Sequence, residues 1–90
     1  MASDGRAPLT MHELGITRNL VAIVSDAAQG RRVHKVWLEI GARSALMPDA
    51  VRFCFDVVSK GTALEGATLE IVALSGDELN IKAMEVEACA

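Results

Sequence analysis

Aromatic side chains make up only 3% of this 90-residue chain: one tryptophan, two phenylalanines and no tyrosine. The chain is therefore short of aromatic anchors. It also lacks a basic surplus, with 9 Lys and Arg against 12 Asp and Glu, a formal charge of −3 and an isoelectric point near 5.2. Only Arg31 and Arg32 are adjacent, so the electrostatic footprint of a nucleic-acid binder is missing. No apolar run nears the ~20 residues that cross a bilayer. Residues 1–10 are small and polar and do not form a secretory signal. The cytoplasm is the expected location. Two cysteines, Cys54 and Cys89, supply neither a disulfide framework nor a Cys-x-x-Cys pair for zinc or redox chemistry. Cys54 falls in an apolar helical pattern and is expected in the core, Cys89 as an exposed free thiol. No nucleophile–base pair and no phosphate loop occurs, which argues against an enzyme. Ser59-Lys60-Gly61-Thr62 has a phosphate-loop flavour, but it lacks the leading glycines and falls at a helix end.

What is present, 51% apolar and 23% charged residues, suits one small globular domain. Residues 1–8 carry turn formers without periodicity and read as a flexible extension, which with Leu9 and Thr10 makes a segment 1–10 ahead of a domain spanning 11–87 and a tail 88–90. Thr10-x-x-Glu13 fits a capping box, the threonine hydroxyl on the Glu13 amide and the glutamate returning to Thr10. Beyond it Ile16, Leu20, Ile23, Val24 and Ala27 mark the apolar face of a first helix, stopped by Gly30.

Residues 33–40 alternate, with Val36, Leu38 and Ile40 on one face and Lys35, Trp37 and Glu39 on the other, predicting a strand. Trp37 on the wetter face either packs along neighbouring strand side chains or marks a contact surface. Met47-Pro48-Asp49 opens a second helix. Val51, Cys54, Phe55 and Val58 line its core side, Phe53 and Val57 widen that side, and Gly61 supplies the stop. Residues 67–73 form a second strand, with Leu69, Ile71 and Ala73 inward. Residues 78–87 form a third, whose alternation slips between Ile81 and Met84. A bulge near Ala83, or coverage of both faces of a partly central strand, would reconcile the two phases.

The order helix–strand–helix–strand–strand predicts an α+β fold: two helices on one face of a three-stranded mixed sheet. The first two strands are expected parallel, joined by a right-handed crossover. The last is expected antiparallel to its predecessor if the short Ser75-Gly76 turn pairs them directly.

These residues resemble a known family in collinear blocks. They run from Met11-His12-Glu13-Leu14 through Val33-His34-Lys35-Val36-Trp37-Leu38-Glu39-Ile40-Gly41 and the segment from Met47-Pro48-Asp49 to Val58. Lys60-Gly61-Thr62, Glu65-Gly66-Ala67 and the segment from Ser75-Gly76-Asp77-Glu78 to Glu87 complete the set. The family is that of the HypA/HybF hydrogenase nickel-incorporation proteins. The resemblance implies a metallochaperone that delivers Ni²⁺ to NiFe-hydrogenase, and in some organisms to urease, together with a GTPase partner and the hydrogenase large subunit. It implies a nickel site at Met11, His12 and Glu13. There the amino group of the methionine, the histidine imidazole and nearby main-chain nitrogens form a planar set, a geometry that suits Ni²⁺.

The match departs from the family at two places. Met11 is preceded by ten residues, so in the chain as numbered its nitrogen is an amide and not an amine. The family's zinc domain, with two Cys-x-x-Cys pairs between the last two strands, has no counterpart in Ala73-Leu74-Ser75-Gly76-Asp77, so no zinc is expected. Two readings of His12 stay open, a nickel ligand and a solvent-exposed histidine beside a helix cap. His34 reads as a surface residue. The competing function is an adaptor that keeps the family's protein-binding surface, around the first helix and Trp37, without binding metal. A free Cys89 and a sheet edge leave weak homodimerisation open.

Overall fold

Strand β1 (Val33–Gly41) is the centre of the fold. The computed structural model describes residues 8–88, with side chains from residue 13 onward. Of the flexible extension expected over residues 1–10, residues 8–10 are instead helical, part of the first helix; residues 1–7 and the free thiol expected at Cys89 lie outside the described residues. The elements follow the expected α+β order: α1 (Pro8–Ala28), β1, α2 (Pro48–Val58), β2 (Thr68–Leu74) and β3 (Leu79–Val86).

β1 pairs parallel with β2, Val36 opposite Leu69 and Leu38 opposite Ile71. It pairs antiparallel with β3 on its other side, giving the order β2-β1-β3. The last two strands do not pair with each other, and β3 is an edge strand rather than a partly central one. Their connection instead crosses the end of β1. Gly41 N–H donates to Glu78 O at 2.8 Å, Ala42 N–H to Leu74 O at 2.8 Å and Arg43 N–H to Gly76 O at 2.7 Å. Only glycine fits at position 41 in this packing, because a Cβ there would lie 2.1 Å from the Gly76 carbonyl oxygen.

The slipped alternation of β3 is a bulge. Trp37 pairs with Ala83 but Leu38 pairs with Ile81, leaving Lys82 as the extra residue, one position from the expected site. This turns Ile81, Met84 and Val86 to the same half-buried face. A second irregularity on β1, at His34, separates the Val33–Val86 and Lys35–Glu85 pairs. It explains why burial on β1 steps by three from Val33 to Val36 before alternating through Leu38 and Ile40.

Both helices lie against one face of the sheet over a core that includes Val24, Val36, Leu38, Val51, Phe55 and Leu64. On β2, Leu69 is buried and Ile71 half-buried as expected, but Ala73 is exposed. The opposite face carries Trp37, half-buried, with the Lys35 ammonium 4.9 Å from its ring centroid. Lys35 also sits 3.7 Å from the Glu70 carboxylate. The tryptophan thus lies along neighbouring strand side chains, the first of the two readings above. His34 is exposed, as expected.

The helices depart from their apolar patterns in opposite senses. α1 buries Glu13, Thr17, Leu20, Val21, Val24 and Ala28, while Ile23 is 58% exposed and Ala27 is also exposed. The stripe in contact with the core is rotated away from the purely apolar one. On α2, Val51, Cys54 and Phe55 are buried as expected. Phe53 and Val57 do not widen the core side; they are 65% and 49% exposed.

Candidate metal centre

Met11, His12 and Glu13 lie near the start of α1, which begins at Pro8 and so takes in Thr10 as a helical residue instead of a cap. The side chains of Met11 and His12 lie outside the described residues; their main chain is helical. In an α-helix each N–H beyond the first four donates to the carbonyl four residues earlier. A helix starting at Pro8 therefore directs the His12 N–H to Pro8 and the Glu13 N–H to Leu9.

The Glu13 side chain does not return to its own helix end. It is fully buried, and its Oε2 accepts a hydrogen bond at 3.0 Å from the main-chain N–H of Met47. Met47 is the N-cap of α2 and makes no side-chain capping bond of its own. Glu13 thus does for α2 what the capping-box glutamate does within one helix, satisfying the N-cap amide and placing an acid at the positive helix end. The expected box at Thr10 is replaced by this link because the chain continues helically upstream. Glu13 Oε1 has no hydrogen-bond partner among the described residues.

Thr17, one turn on, is buried and donates from Oγ1 to the Glu13 carbonyl at 2.6 Å, which satisfies its hydroxyl inside the core. Cys54 is buried nearby. Its thiol is pushed above its ordinary value, first by burial and second by the Glu13 carboxyl. A polar pair, Glu13 and Thr17, and a thiol thus line the seam between α1 and α2. Sequence periodicity missed the two polar members because it counts only apolar residues; the signal was their spacing of four, in phase with Leu20, Val24 and Ala28.

Among the described residues no group of three or more His, Cys, Asp or Glu side chains could hold a metal. The zinc that the resemblance implies for the family does not fit this chain: it has two cysteines in all, and Cys54 is buried in the core cluster's helix rather than displayed on a loop. Gly61 N–H donates to Glu65 Oε1 at 3.0 Å, so an acid already occupies an amide of the Ser59–Thr62 turn. A groove of about 290 Å³ between α1 and β3 is lined by Ile16, Leu20, Ile23, Leu79 and Ile81 with two asparagines and Leu38, and holds no titratable group. None of the described helices is long and apolar enough to cross a membrane.

The family model for hydrogenase/urease nickel incorporation, metallochaperone HypA, matches residues 11–77. The chain belongs to the HypA family. The match begins at Met11 and ends at Asp77, in the connection between β2 and β3. Similar curated proteins are hydrogenase maturation factors HypA. That of Nostoc sp. strain PCC 7120 is 67% identical over 66 residues, covering 73% of this chain and 58% of the relative. The Nostoc punctiforme protein is 62% identical over the same shares. That of Geobacter sulfurreducens is 48% identical, covering 73% of this chain and 60% of the relative. The chain thus spans about three fifths of the length of the HypA relatives it matches.

Proposed function

We propose that this HypA-family chain is a nickel-carrying domain for hydrogenase maturation, a metallochaperone and not an enzyme. In this reading it receives Ni²⁺ at Met11, His12 and Glu13. It passes the ion to the hydrogenase large subunit with the help of a GTPase partner. The observation that carries the reading is the Met-His-Glu set at the first residues of the family match, on a helix whose Glu13 carboxyl is withdrawn into the α1–α2 seam.

In this reading the three residues have separate tasks. With its carboxyl bonded to the Met47 amide, Glu13 contributes its main-chain nitrogen to the nickel set. His12 contributes its imidazole and main-chain nitrogen, and Met11 its nitrogen. Nitrogen donors in a plane suit Ni²⁺. Main-chain nitrogens can ligate only if they are free of helix hydrogen bonds. In a chain whose first residue is Met11, the His12 and Glu13 amides belong to the unpaired first turn of the helix, and Met11 supplies an amine with a pKa of about 7.7–8. In the chain as numbered, the turn from Pro8 to Thr10 engages those amides and Met11 has no amine. The upstream helical turn therefore competes with nickel twice over. The buried Glu13 link holds the remainder of α1 in place while the residues before it reorganise around the ion.

The competing adaptor reading is favoured by one observation, the exposed apolar residues on α2. Nickel separates the two. Protein beginning at Met11 should develop the visible absorbance of a planar Ni²⁺–nitrogen centre on titration, and His12→Ala should abolish it. A flat spectrum in the parent protein would leave the adaptor reading standing.

A further inference from the structure

Helix α2 carries an exposed apolar stripe along its outer flank, without a partner among the described residues. At about 100° per residue, Ala50, Phe53 and Val57 fall on one arc of α2 beside α1, and the exposed N-cap Met47 stands ahead of them. Met47 is 50%, Phe53 65% and Val57 49% exposed, while Ala50 is half-buried. An exposed phenylalanine at the middle of such a stripe has the features of an interface anchor. Asp49 and Asp56, both exposed, border the stripe on the side away from α1. Arg52 forms no ion pair with either; its guanidinium donates to the Leu69 carbonyl at 2.7 Å, over β2. Lys60 stands at the far end of the stripe.

We infer that this stripe docks an amphipathic helix of a partner protein, one whose apolar face is flanked by lysine or arginine opposite Asp49 and Asp56. Spacings of three and four over three turns fit helix-on-helix packing. A second copy of this chain fits poorly: a two-fold antiparallel pairing centred on Phe53 would bring the Asp49–Asp56 rims of both copies along one seam, like charge against like. The stripe begins at Met47, the residue that Glu13 holds, so a docked helix would lie beside the start of α1. The inference stands on the stripe and its charged rim and does not require nickel.

The probe is a pair of helical peptides of about 18 residues, long enough to hold a helix, with identical leucine stripes and flanks of either lysine or glutamate. Each is titrated into the isotope-labelled full chain, and the amide shifts are mapped. The lysine-flanked peptide should shift amides across residues 47–60 and bind at least about tenfold more tightly than the glutamate-flanked one. Phe53→Ser, and separately the pair Asp49→Asn with Asp56→Asn, should each remove most of that advantage. Their unperturbed amide spectra elsewhere would show the fold intact. Equal binding of both peptides, shifts centred on the Trp37 face or the α1–β3 groove, or binding indifferent to Phe53→Ser would overturn the inference. So would concentration-dependent shifts at residues 47–60 without peptide, which would assign the stripe to a second copy. A nickel titration of the same variants reads the proposed function independently.

Discussion

Helix α1 buries an acid and a threonine, whereas α2 leaves a phenylalanine and a valine in water. Both helices break the rule that apolar residues face in and polar residues face out, in opposite directions and within a few residues of their contact at Glu13 and Met47. Local violations of patterning concentrate where a protein is built to do something besides fold. In α1 the violation is structural: Glu13 caps α2 and Thr17 satisfies its hydroxyl on the Glu13 carbonyl. In α2 it is answered by none of the described residues, and it is the flank proposed to dock a partner helix. The proposed metal motif sits at the end of the helix whose polar residues Glu13 and Thr17 are already committed.

The two phenylalanines of α2 give the largest contrast. Phe55→Ala empties a fully buried site and should cost about 3–5 kcal/mol in urea unfolding, whereas Phe53→Ala, two residues away, should stay within about 0.5 kcal/mol. Similar losses for both would mean that the stripe is part of the core. The polar counterpart is Glu13→Ala, which strands the Met47 amide and leaves a void and should cost about 1–3 kcal/mol. Glu13→Gln keeps an acceptor and should recover much of the loss; an unchanged midpoint in Glu13→Ala would show that the link does not hold the helices. A smaller effect comes from Cys54. Its folded thiol titrates above the ordinary value of 9.0. The stabilisation is therefore fully present below that value and is lost as pH rises past it, because the unfolded thiol ionises first. Unfolding midpoints measured from about pH 8 to pH 10 should fall more steeply for the parent than for Cys54→Val.

Much of this could be read from the residues, and what could not has physical causes. The strands and the α2 core line showed because period-two and period-3.6 patterns report burial directly, and the phase slip between Ile81 and Met84 announced its bulge. Two features were hidden. β3 lies on the far side of β1 because its connection closes over Gly41 with three main-chain bonds, a choice made by tertiary contacts that a four-residue turn does not specify. Glu13 looked like a local cap because Thr10-x-x-Glu13 is a local rule, yet its bond runs 34 residues along the chain to Met47. The motif was legible as residues and as a family resemblance; the state of its main-chain nitrogens depended on where the helix begins.

That dependence can be measured directly. Nickel affinity is compared, by competition with a chelator near neutral pH, between the chain beginning at Met1 and the same chain beginning at Met11. The account predicts at least about tenfold tighter binding by the shorter form, some 1.4 kcal/mol, because its amine is present and its first amides are free. Equal affinities would contradict it, and would show that neither the Met11 amine nor the upstream helical turn governs the site.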